Sequence, residues 1–180
     1  MSKAFLDTEF LDDGRLIQPL SLALVSETGA EYYAVFADGG MHAGIKDEWL
    51  RSHVIPHLPV TLAASGSGWA WDAGHADSDY PRVRPRARIA AEVRAFIGRQ
   101  PEPEVRAYSP HDTVVLCQLY RPMNALPAEI PVFTRDLMQE ADRTGTAMPE
   151  QAPPMHQPSM THDTTASSRR PSASSSKGAL

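Results

Sequence analysis

The chain has 180 residues, 42% of them apolar, and a formal net charge of −5. That length suits one folded unit with a real core, and no apolar run approaches the roughly 18 residues that a membrane-spanning helix needs. The acidic balance argues against a broad duplex-binding surface, which would be basic, yet it permits gripping one nucleic-acid end through bound cations.

In chain order, Ala4-Phe5-Leu6 is broken at once by Asp7, so no secretory signal is expected. Residues 3–10 and 15–26 read as β-strands. Glu27-Thr28-Gly29 is a turn signal, and Glu31 to Phe36 reads as a third strand. Short links between them predict an antiparallel meander. Asp47 to Leu58 reads as a helix with Trp49, Leu50 and Val54 on one side and Pro56 disturbing its end. Residues 61–85 lack periodicity and read as a long loop. Arg86 to Arg99 reads as an amphipathic helix, because Ile89, Val93, Phe96 and Ile97 form one stripe. Its entry carries a basic cluster, Arg82, Arg84, Arg86 and Arg88, which reads as a solvated face rather than a phosphate contact.

Glu104 to Tyr108 reads as a strand, Ser109 to Asp112 as a turn and Thr113 to Tyr120 as an apolar helix. Cys117, the single cysteine, fits a reducing cytoplasm and reads as a small buried residue in that helix. Pro131 to Phe133 reads as a strand and Thr134 to Arg143 as a helix capped by Thr134. Together these predict an α/β arrangement around one mixed sheet.

Residues i and i+2 of a strand face the same way, so Asp7 and Glu9 project together while Leu6, Thr8 and Phe10 project oppositely. Two carboxylates that close repel unless a cation lies between them, and Mg²⁺ or Mn²⁺ takes one or two carboxylates plus phosphate and water. The plainer alternative is an exposed acidic pair. Asp112 likewise has two readings, a metal ligand or a cap on the helix it precedes.

The stretches FLDTEFLDDGRLIQPLSLALVSETGAEYYAV, VRPRARIAAEVRAFI, AYSPHDTVVLCQLYRPMNALP and VFTRDL resemble the DEDD-type 3′→5′ exoribonucleases, in particular the polyadenylate-specific actinobacterial branch. The resemblance covers most of residues 3–150. It implies an RNase H-like fold and a domain over residues 1–152. It also implies hydrolysis of single-stranded RNA from the 3′ end with two Mg²⁺ or Mn²⁺ ions. Asp7, Glu9 and Asp112 would be catalytic and metal-binding, and Phe10 and Leu11 would line the terminal-nucleotide pocket. A nucleoside monophosphate ligand and a homodimer are further expectations of the same kind. A DNA-directed exonuclease and an inactive nucleotide-binding relative are the alternatives.

The family's third motif requires a His and, five residues later, an Asp. Here His156 is followed at that spacing by Thr161, and His162 by Ser167. Those two histidines are weak candidates for the general base. The tail over residues 153–180 is low in complexity: from Asp163 to Leu180 there are six Ser and one large apolar residue, which predicts disorder. Reading GC-rich codons from Pro154 onward two bases along allows HAPALDDARHD, which restores the His and Asp spacing. A frameshift near residues 153–155 would therefore explain the tail, and weak or absent nuclease activity is expected of the chain as it stands.

Overall fold

The computed structural model describes residues 1–64, 68–71 and 82–148. Strands β1 (Ser2–Asp12), β2 (Ile17–Ser26) and β3 (Glu31–Phe36) form the expected antiparallel meander. Glu27 to Ala30 turns β2 into β3, with Gly29 at a positive φ of 85° that an L side chain rarely adopts. Two further elements extend the sheet. β6 (Val83–Arg84) adds in parallel to β3, and β7 (Pro103–Ala107) adds in parallel to β1. β8 (Arg135–Asp136) closes the far edge, giving the order β6-β3-β2-β1-β7-β8. The protein is thus α/β, with a mixed six-stranded sheet.

β2 lies inside the sheet, and Pro19 to Leu24 are all buried. Burial on both faces explains why this strand reads as a nearly unbroken apolar run. One face packs Ala4, Leu6, Leu24, Phe36 and Val105 against α3 (Arg86–Gly98) and α4 (Pro110–Leu119). The predicted stripe of α3 is the buried one: Ile89, Val93, Phe96 and Ile97. Glu92 fastens this helix to the sheet, accepting from Tyr32 Oη at 3.0 Å and from Arg84 at 2.7 Å. A second cluster joins Leu20 and Val35 to residues of α1 (Met41–Gly44) and α2 (Glu48–His53). No helix of the described residues is long and apolar enough to cross a membrane.

Several expectations are corrected. The helix from Asp47 to Leu58 is two pieces, α2 and a 3₁₀ turn at Ile55–His57, with Asp47 as the N-cap of the first. Leu50 and Val54 are buried as expected, but Trp49 is 59% exposed and stacks on His53, one helical turn away. The stretch 61–85, read as a loop, contains strands: β4 (Val60–Leu62) pairs with β5 (Trp69–Trp71), and β6 lies at its end. Positions 65–67 and 72–81 of that loop lie outside the described residues.

The helix expected from Thr113 starts at Pro110, because Ser109 caps it and proline suits a first helical turn. Cys117 is exposed on it, not buried. Pro131 to Phe133 is not a strand, and Val132 and Phe133 are exposed. β8 lies further on, where Arg135 and Asp136 meet Arg106 and Ala107. α5 (Leu137–Thr144) is capped by Asp136, while Thr134 hydrogen-bonds Thr113 instead.

Candidate active site

The meander's register decides which way each carboxylate points. Asp7 pairs with Ala23, which pairs with Tyr33, and Glu9 pairs with Ser21, which pairs with Val35. Residues directly opposite each other share a face. Asp7 and Glu9 therefore stand side by side on one face, flanked by the small side chains of Ala23 and Ser21. Tyr33 belongs to the same row as Asp7. Burial pushes its phenol up to about 12, the charges of Glu9 and Asp7 push the same way, and Ser21 and the Arg82 guanidinium oppose them. Arg82 lies over the Tyr33 ring at 5.6 Å. Neither Tyr33 nor Ser21 stands out in the sequence as a site residue. Counting the register outward from the Glu27–Gly29 turn would have placed both beside the carboxylates.

Asp112 arrives from the opposite face. β1 and β7 stop pairing after Leu6 and Ala107, and the chain leaves β7 through Ser109 into α4. Beyond that point the Asp112 carboxylate takes the place of a ladder partner. Its Oδ1 accepts from the Thr8 backbone N–H at 3.1 Å and from the Thr8 hydroxyl at 2.6 Å. Its Oδ2 accepts from the Ser109 backbone N–H at 3.1 Å, completing a capping box. Only 4% of Asp112 is exposed. Burial raises its carboxyl above the usual range and Glu9 adds to the rise, while the bonds from Thr8 and Ser109 act against it.

The cap interpretation of Asp112 therefore describes the geometry that exists. Glu9 is close enough to be felt by Asp112, yet among the described residues no three His, Cys, Asp or Glu side chains are grouped to hold one ion. The donor set fits a hard divalent cation at Asp7 and Glu9, two same-face carboxylates whose mutual repulsion a cation relieves. It does not supply a complete second set.

Phe10 follows a register shift between Glu9 and Phe10 and stacks on His111, with ring centroids 5.6 Å apart. Leu11 packs against the second apolar cluster, with Leu20 and Met41. The structure thus brings Phe10 next to the helix that carries Asp112 and leaves Leu11 half-buried against the second apolar cluster. His156, His162, Asp163 and the rest of the 153–180 tail lie outside the described residues.

No protein-family model matches the chain. Two curated proteins do, both of Mycobacterium tuberculosis. They are the 3′-5′ exoribonuclease Rv2179c of strain H37Rv and its counterpart of strain CDC 1551, which is also named a 3′-5′ exoribonuclease. Each is 34% identical to this chain over 157 residues, which is 84% of this chain and 82% of the relative. Identity of that extent, on an α/β sheet that opens with the meander bearing Asp7 and Glu9, makes the chain a member of the actinobacterial 3′-5′ exoribonuclease family.

Proposed function

We propose that this chain acts on the 3′ end of single-stranded RNA, removing nucleotides by phosphodiester hydrolysis, and that it does so weakly. The observation that carries the reading is the register-fixed placement of Asp7 and Glu9 on one face, with Glu9 in electrostatic reach of Asp112. Asp7 and Glu9 would hold a divalent cation, Mg²⁺ or Mn²⁺. When bound, such a cation supplies an activated water and stabilises the leaving 3′-oxygen. Asp112 holds the mouth of the β1–β7 split rigid through Thr8 and Ser109. The stacked pair of Phe10 and His111 offers an aromatic surface for a terminal base, the usual way to hold an unpaired nucleotide.

Weak turnover follows from what is missing. Neither His156 nor His162 is followed by an Asp at the third-motif spacing, and Asp112 already accepts three bonds from backbone and hydroxyl donors. Loss of general-base help alone costs about 10²–10⁴ in rate. The same two facts favour a second reading, a binding protein that keeps the pocket without turnover. A single cysteine and no membrane-crossing helix among the described residues fit a cytoplasmic protein. Homodimerisation remains part of the proposal through kinship alone.

The test is a 5′-labelled single-stranded RNA incubated with the full chain and Mg²⁺ or Mn²⁺. The expected result is slow shortening from the 3′ end, stopped by chelator and by Asp7→Asn. Turnover equal to that of the Mycobacterium relatives would overturn the weakness. Undiminished RNA binding with no shortening at any protein concentration would establish the binding protein instead.

A further inference from the structure

A cavity of about 480 Å³ opens between the C-terminal end of α4, the first turn of α3 and the start of β2. That volume is in the range of small-ligand sites, roughly 300–1,000 Å³. Its charged and amide lining consists of Arg86, Arg121, Gln18, Gln118 and Asp38.

The four arginines of the cluster before α3 divide into different settings. Arg84 and Arg88 both pair with Glu92, at 2.7 and 2.9 Å, and share its one negative charge. Arg82 lies over Tyr33. Arg86 lies over the Phe36 ring at 5.5 Å and faces the cavity. Among the described residues, neither Arg86 nor Arg121 has an ion pair with a carboxylate. Asp38 is the cavity's acid, and its Oδ1 accepts from the Arg86 backbone N–H at 2.9 Å, so it caps the helix rather than the guanidinium. The Gln118 amide, oriented to satisfy both its ends, accepts from Arg121 Nη2 at 3.0 Å and donates to the Ile17 carbonyl at 2.8 Å. That holds Arg121 at the cavity wall. In a chain of net charge −5, two guanidinium groups against one engaged carboxylate form a local anion-attracting site. Guanidinium groups bind phosphate oxygens through paired N–H donors.

The cavity adjoins the candidate active site without sharing its residues. Pro19, in the cavity wall, is the register partner of Phe10. Asp112 and Gln118 share α4 and are separated by about 9 Å of helix axis.

We propose that this cavity is a second phosphate-binding site, independent of metal, which holds a nucleotide phosphate through Arg86 and Arg121. The phosphate is either an upstream diester of the RNA strand or that of a free nucleoside monophosphate. The inference rests on the exoribonuclease reading only for the first of these sources.

The experiment titrates the full chain, in excess chelator, with single-stranded RNA and separately with adenosine monophosphate. Amide chemical shifts and affinity are followed at several salt concentrations. Chelation removes the cation that Asp7 and Glu9 would hold, so binding there and binding in the cavity separate. Expected are shifts around residues 16–19, 86 and 121. The Arg86→Gln/Arg121→Gln double variant should lose at least about tenfold in affinity, and for RNA its salt slope should be shallower by roughly 0.7, for the one lost phosphate contact on a single strand. Arg121→Gln alone, at an exposed position, should show part of that loss with an unchanged unfolding midpoint. Perturbation by RNA only assigns the strand as the phosphate source, and perturbation by both ligands assigns a nucleotide site. An Asp7→Asn/Glu9→Gln variant should bind as before; if it does so without turnover, the nuclease machinery and the cavity are resolved as separate. No binding in chelator, or equal binding by the double variant, overturns the proposal.

Discussion

The two places where this fold sets carboxylates differ in what holds them. Asp7 and Glu9 are aimed by strand register, and their closeness costs electrostatic energy in the absence of a cation. Asp112 is aimed by hydrogen bonds to Thr8 and Ser109, which offset part of the cost of burying its carboxylate. The strand pair is placed by the sheet's register, whereas the helix acid has a structural task in the capping box. An active site assembled from both would require Asp112 to serve two masters, the cap and the cation.

The largest expected effect breaks that comparison at the strand. Asp7→Asn or Glu9→Gln should lower cation-dependent shortening of RNA by at least about a hundredfold, since even groups that merely support metal ligands cost ten- to a hundredfold. Stability should hold or rise, because a like-charge contact is removed. Parallel measurement of RNA shortening and urea unfolding checks both halves. A collapse in stability would show the pair to be structural.

The next effect falls on the helix. Asp112→Ala strands the Thr8 N–H and the Ser109 N–H, one of them buried with Thr8, and should cost about 2–3 kcal/mol in urea unfolding. Asp112→Asn keeps an acceptor for Thr8 and should cost about half of that. If Asp112→Asn stays folded and loses all cation-dependent shortening, Asp112 is also a ligand; if shortening persists, the cap is its whole role. Thr8→Val removes the 2.6 Å hydroxyl bond but leaves the backbone one, and should cost about 1 kcal/mol.

The strand half was legible because its signals are local and strong. Alternation, a turn at Glu27-Thr28-Gly29 and the two-residue spacing of Asp7 and Glu9 fix strand, turn and face without tertiary help. The helix of Arg86 to Gly98 was legible through its four-residue stripe. Illegible elements are short ones that exist only because a partner is present. β8 is two residues long and is defined by Arg106 and Ala107, while the more β-prone Val132 and Phe133 beside it are exposed. β4 and β5 are three residues each, too short for periodicity, although Trp69 and Trp71 alternate as a strand would. At the site, Asp112 was recognised as a helix-head acid, but its bond to Thr8 spans 104 positions and no spacing rule reaches that far. The division of the arginine cluster was equally hidden, because Glu92 and Phe36 decide it from other elements.

The smallest effect sharpens the comparison with a third kind of carboxylate, one held by cations. Glu104 on β7 accepts from Arg106 at 2.7 Å and from Arg135 of β8 at 2.6 Å, and these bonds, Arg135 first, hold its carboxyl below the usual range. Its folded value lies below its unfolded one. The stabilisation is therefore present above the unfolded value, near 4.5, and is lost as pH falls through the lower folded value. Arg135 is partly exposed, so the pair is screened and should be worth on the order of 1 kcal/mol or less. Hydrogen-exchange protection factors at Arg106 and Arg135 in the β7–β8 pairing, which correct for the intrinsic pH dependence of exchange, should fall on acidification across that window in the native chain. In Glu104→Gln the protection should be lower at neutral pH and should lose that pH dependence. High salt should shrink the difference between the two proteins, an effect not expected for the buried bonds of Asp112.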